Sequence, residues 1–420
     1  MTDGYWFSSA SRRRVAAPPV KPVALTERAE QGRTEPLATP GRLRSIDILR
    51  GLACVLMVID HVRVYSGLPA GGPTAGIFFT RWVTHFVAPA FCFLAGTGAF
   101  FLGRKLGEAA LRRFLLGRGL LLVLLELTLI RWLWTFNLDY GHYLLAGVIW
   151  MLGLSMMLLA PLTRLSNRAL ILVGLSLVFG QRLLGLVYER LPETLQEASG
   201  WLFQVLYFGG PISLGEEGPT LAILYSLVPW IGVMALGYVF GLLLTAAPEV
   251  RRRWCRRIGL GATAVFLLVA GAQVLIAPAP PEAPPFLFRL LAQQKYPASE
   301  LFLLMTLGPL IALVPWAEGA RGLVADALEL FGRVPLFFYL LHLALAHLAA
   351  MGVSLLRTGA VDPWLFANHP VMPPEPPPGY PWSLGLLYLV VVLVLPLLYL
   401  GCRGYAARKA RHPHGWMRFL

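Results

Sequence analysis

The reactive side chains of this sequence gather where it otherwise spells a lipid-soluble helix. The stretch RLRSIDILRGLACVLMVIDHVRVY, from Arg42 to Tyr65, carries Asp60 and His61 near its end. Imidazole titrates near neutrality, so His61 is suited to act as a general base on a hydroxyl or amine, or as a nucleophile. Asp60 either orients that ring or holds Arg63 three residues on; helix spacing leaves both open. Near the start of the same stretch Asp47 and Arg50 sit three residues apart. They form either an ion pair fixing the helix end or a cationic contact for an anionic donor. Asp47, Arg50, Cys54, Met57, His61 and Tyr65 follow steps of three and four and so share one helix face. At ~1.5 Å per residue, Arg50 and His61 lie roughly 16 Å apart along it. Ionisable groups at such depth are costly in hydrocarbon, so this helix should be buried in a bundle with its polar face on a cavity.

Further candidates lie elsewhere. His85 falls early in a second apolar stretch, THFVAPAFCFLAG. The link FNLDYGH supplies Asp139 and His142, and AQQKYPASE supplies Lys295; both are polar clusters able to meet a sugar-like substrate. In GRVPLFFYLLH, Tyr339 and His342 share a face, whereas His347 does not. Glu126 and Arg131 are five residues apart, on different faces of one span, and are expected to find partners on other helices. No phosphate-cradling glycine loop, zinc spacing or nucleophile elbow occurs, and no metal site is expected.

The elements that must position these groups are transmembrane. The 420 residues are 57% hydrophobic and 14% charged, with a mean hydropathy of +0.64. A soluble domain carries about a quarter charged residues, so the chain reads as an all-α, polytopic helix bundle. Ten spans are expected, at about 45–65, 77–102, 115–135, 142–162, 169–188, 220–245, 257–277, 299–317, 335–356 and 382–402, with an amphipathic interfacial helix at 321–333. Residues 1–42, rich in Arg, Ala, Pro and Thr, read as a disordered basic cytoplasmic tail, and 43–420 as the membrane domain. The formal net charge of +14 is spread over alternate loops, as the positive-inside rule predicts, and excludes nucleic acid as a partner. Basic loops near 104–118, 164–168 and 246–257 put both termini inside, with His61, His142 and Lys295 towards the outer side. The four cysteines, Cys54, Cys92, Cys255 and Cys402, suggest no disulfide framework.

The segments RLRSIDILRGLACVLMVIDHVRVY, HFVAPAFCFLAG, WMLGLSMM, VPWIGVMALGYVFG, QKYPASELFLLMTLGP and FGRVPLFFYLLH together resemble one family. It is the bacterial branch of the heparan-alpha-glucosaminide N-acetyltransferase catalytic-domain family, within a wider group of transmembrane acyltransferases. The opening S-x-D-x-x-R-G, here Ser45, Asp47, Arg50 and Gly51, is its most specific part. The resemblance implies a multi-pass protein of the bacterial cytoplasmic (inner) membrane. It further implies transfer of an acetyl group from cytoplasmic acetyl-CoA, the acyl donor, to a sugar amine or hydroxyl on the far side. The animal enzyme's proposed catalytic histidine lies in the loop after the first span. The corresponding SGLPAGGPTAGIFFTRW has none, so His61 or His85 replaces it, or the chemistry differs. On this reading Asp60 and His61 are catalytic, while Asp47, Arg50, His85, Asp139, His142, Lys295, Tyr339 and His342 contact substrates. A transporter or lipid-binding protein would use the same polar residues to line a path; the absence of an internal repeat disfavours it.

Overall fold

The computed structural model describes residues 43–72, 74–278, 282–367 and 374–411. The expected tail over 1–42, part of the second Pro-rich loop and the basic end beyond 411 lie outside them. From Leu43 onward the described chain forms one helical unit.

The first helix, α1 (Arg44–Tyr65), is its axis, and none of its residues is exposed. The second span is broken: α2 (Ala75–Trp82), a 3₁₀ turn over Val83–Phe86, then α3 (Val87–Leu106). The third runs from α4 (Glu108–Leu125) through a π turn, Glu126–Ile130, into α5 (Arg131–Thr135). Strand β1 (Tyr143–Ala146) precedes α6 (Val148–Leu162). The fifth span is two pieces, α7 (Asn167–Phe179) and α8 (Arg182–Glu189), bent by 56°. After α9 (Glu193–Phe203) come β2 (Gly210–Ser213) and β3 (Thr220–Ile223), then α10 (Val228–Leu244). Helices α11 (Pro248–Ile276), α12 (Phe286–Leu291), α13 (Glu300–Ala312) and α14 (Val314–Gly319) follow. The chain finishes with α15 (Leu323–Arg333), α16 (Pro335–Thr358), α17 (Trp364–Ala367) and α18 (Leu384–Arg411).

Every expected span contains a helix, and α15 is the expected amphipathic segment. Among the described residues, five helical stretches are long and apolar enough to cross a membrane, or six if the bent α7–α8 pair is one crossing. Helix α1 is not among them. Its charges sit in a protein interior and not in lipid, so hydropathy by length and composition passes over a helix with no exposed residue. Two expected boundaries need correction. The fourth and sixth spans were expected to begin at 142 and 220, but both begin as strands. There β3 pairs in parallel with β1 and antiparallel with β2, in the order β1-β3-β2. Non-helical backbone at this depth satisfies its own polar groups through the ladder and lines a cavity, which is where such backbone is tolerated.

Small residues set the helix crossings. A Cβ on Gly51 would lie 1.8 Å from the Leu328 carbonyl oxygen, and one on Gly332 would lie 1.8 Å from that of Asp47. Backbones of α1 and α15 therefore touch, which is the physical reason for the glycine in S-x-D-x-x-R-G. Gly96 with Gly237, Gly119 with Gly153, and Gly259 with Gly308 join α3 to α10, α4 to α6 and α11 to α13 in the same way. Where lipid is as apolar as leucine, close backbone approach supplies the association energy.

Candidate active site

The far end of α1 opens on a cavity of about 510 Å³, walled by Asp60, His61 and Arg63 and closed by segments from across the chain. Tyr65 fixes this end. Its hydroxyl donates to the Trp134 carbonyl at 2.8 Å, and its own carbonyl accepts from the Tyr380 hydroxyl at 2.9 Å.

Asp60 does not orient His61. Its carboxylate accepts from Arg81 at 3.0 and 3.2 Å and from Arg63 at 3.4 Å. Arg81 also donates to the Thr84 hydroxyl, so α2 and the 3₁₀ turn are pinned to α1. The partner of His61 lies on α16: its Nδ1 is 2.7 Å from Nε2 of His342. Trp134 packs edge-on against the His61 ring at 4.7 Å between centroids. His342 has no exposed surface and sits behind His61, away from the cavity wall.

Glu126 also faces the cavity, from the π turn, a local widening of the helix frequent at functional sites. One of its oxygens accepts from the amides of Ile149 (2.8 Å) and Trp150 (3.1 Å), capping the α6 N-terminus. Its other oxygen has no hydrogen-bond partner among the described residues. Arg131, expected to pair with another helix, instead binds the loop that follows its own. It donates to carbonyls of Asn137, Asp139 and Tyr143, and its guanidinium lies over the rings of Tyr140 and Tyr143. The FNLDYGH link is thus a frame for β1.

Near the other end of α1, Arg50 donates to Asp47 at 3.1 Å, to the Leu94 carbonyl at 3.1 Å and to that of Gly332 at 3.3 Å. Arg50 and Arg118 line a second, narrower cavity of about 90 Å³. Tyr339 and Val148 belong to the walls of both cavities, so these two side chains stand between the two spaces.

The other expected residues divide. Lys295 is 6% exposed, its ammonium over the rings of Tyr225 and Tyr296, two residues of the larger cavity. Burial pulls its pKa below the usual lysine value. His85 is not among the cavity walls; it packs edge-on to Phe302 with Nδ1 unpartnered. Asp139 and His142 are exposed and also stand outside the cavity. Sequence reasoning passed over Arg81, which lies in FFTRW with nothing local to distinguish it. Glu126 was noticed only as a structural charge.

A multi-pass helical membrane protein with a half-buried histidine in the wall of a cavity is the class this arrangement defines. The heparan-alpha-glucosaminide N-acetyltransferase catalytic family matches residues 42–280, more than half of the chain. The chain belongs to that family, whose members are membrane acetyltransferases. No curated protein matched the chain.

Proposed function

We propose that the chain transfers an acetyl group from acetyl-CoA, on the side of both termini, to an amine or hydroxyl of a sugar on the other side of a bacterial cytoplasmic membrane. The observation that carries this reading is the pair of cavities that share Tyr339 and Val148 as a common wall, one lined by Arg50 and Arg118 and the other by His61. The orientation follows the ten crossings expected from the sequence, with the basic loops on the acetyl-CoA side.

The narrow cavity suits the pantetheine arm, with Arg50 and Arg118 near the anionic part of the donor. The acceptor enters the wider cavity. His61 takes a proton from its amine or hydroxyl as that atom attacks the thioester carbonyl. The carbon–sulfur bond then breaks, and the imidazolium returns the proton to the departing thiolate. Arg81 and Tyr296 supply hydrogen-bond donors in the acceptor's compartment.

The test uses proteoliposomes with labelled acetyl-CoA on one side and glucosamine on the other. Labelled N-acetylglucosamine should form on the acceptor side, and His61→Gln should lower turnover by ~10²–10⁴ at unchanged protein level. Wild-type-like turnover in His61→Gln removes His61 as the base. Label held on the protein without acceptor replaces direct transfer by an acetyl-histidine.

A further inference from the structure

Three groups in a row determine which nitrogen of His61 carries a proton. The carbonyl oxygen of Phe338 can only accept, and Nδ1 of His342 lies 3.1 Å from it. That nitrogen therefore bears the proton of His342. A neutral imidazole has one N–H, so Nε2 of His342 presents a lone pair. Nδ1 of His61 lies 2.7 Å from that lone pair and must donate to it. The remaining nitrogen, Nε2 of His61, is left unprotonated on a ring that borders the cavity.

The reverse direction requires a doubly protonated His342. That would place a cation on a ring with no exposed surface, and the nearest carboxylate on α1, Asp60, is already engaged by Arg81 and Arg63. Packing holds the relay in place. The two imidazoles stack at 4.8 Å with planes 27° apart. Phe338 stacks on the outer face of His342 at 5.6 Å, and Trp134 blocks the edge of His61. Turning the His342 ring over breaks both hydrogen bonds, and turning His61 over breaks the one between the two rings.

We infer that His342 is a positioning residue: it fixes His61 in the Nδ1–H tautomer, so that Nε2 faces the acceptor as a ready proton acceptor. The inference rests on the proposed role of His61. In water a neutral histidine side chain favours the opposite, Nε2–H form, which would point a proton at the acceptor. When His61 takes the acceptor's proton on Nε2, its Nδ1–H stays on His342 and delocalised charge is partly met by that lone pair. His342 itself gains and loses no proton. The second histidine thus does what a carboxylate does in a Ser-His-Asp triad, without adding a buried charge.

Two measurements separate this from a packing role. Spectra of ¹⁵N-histidine-labelled wild-type protein, with His61 assigned by its loss in His61→Gln, should show the proton on Nδ1 and a bare Nε2. This needs no turnover, so it decides the inference even if acetyl transfer fails. Steady-state kinetics then compare His342→Leu, which removes the acceptor, with His342→Gln, whose amide oxygen reaches the position of Nε2. His342→Leu should cut kcat by ~10²–10⁴ with KM for acetyl-CoA and sugar unchanged, and His342→Gln should restore most of it. A proton on Nε2 of wild-type His61 overturns the inference. So does wild-type kcat in His342→Leu, or an equal loss of kcat in the glutamine variant. If His342→Leu does not fold, the spectrum and His342→Gln decide.

Discussion

Asp60 separates the groups that build the cavity from the group that performs the chemistry. Its carboxylate bridges Arg81 and Arg63, with 16% of its side chain exposed and Arg63 and Arg81 at 9% and 13%. Asp60→Asn keeps the shape and one acceptor oxygen but leaves two buried guanidinium groups without their shared counter-charge. Removing one partner of a buried pair costs about 3–5 kcal/mol. Here the figure is an upper range, because asparagine still accepts one hydrogen bond. A loss of that size is a large part of the 5–15 kcal/mol typical of a folded domain. The expected result is a clear fall in the thermal midpoint in detergent, followed by tryptophan fluorescence, and a lower yield of monodisperse protein. His61→Gln should show the opposite pattern, near-native midpoint and lost turnover, because His61 gives one hydrogen bond and no ion pair. Both variants are assayed for acetyl transfer per folded molecule. If Asp60→Asn keeps the wild-type midpoint yet loses turnover as His61→Gln does, Asp60 acts on the reaction itself and the assignment made from its arginine contacts is refuted.

Gly51→Leu should abolish the folded state, since any Cβ there meets the Leu328 carbonyl; a single native peak in size-exclusion chromatography would contradict the α1–α15 contact. Cysteines placed at the exposed Glu193 and Arg252 should label from opposite sides with an impermeant reagent, against a low background because all four native cysteines are buried; equal labelling from one side would sink the orientation. Arg118→Gln should raise KM for acetyl-CoA and leave KM for the sugar alone, and equal changes in both would detach the narrow cavity from the donor. His347, stacked between Tyr65 and Phe136 and bonded to the Leu133 carbonyl, should not be needed for turnover. His347→Phe should cost about 1 kcal/mol in stability through the lost hydrogen bond, and a turnover defect per folded molecule would give it a further role.

The sequence by itself determined where helices run, that they belong in a membrane, and that one face of α1 is polar from Asp47 to His61. Hydrophobic runs and the 3.6-residue period are local properties, so they survive without knowledge of any neighbour. The amphipathic α15 was legible for the same reason. Tertiary structure decided every partnership. His61 and His342 are 281 residues apart, and Asp60 meets Arg81 only because the chain doubles back after Tyr65. Helix spacing offered Asp60 both His61 and Arg63, and the position of α2 resolved the choice towards arginine. Glu126 was expected to find a partner on another helix, but only the fold shows that the partner is the N-terminus of α6. The two strands that replace expected helix ends were equally illegible, since β1 and β3 are short apolar runs whose ladder exists only once they lie side by side. The wall that Tyr339 and Val148 form between the two cavities depends on where α16 and α6 lie. Backbone contacts at residues such as Gly119, Gly153 and Gly51 hold α4 against α6 and α1 against α15, and a glycine in the sequence does not say which helix will lean on it.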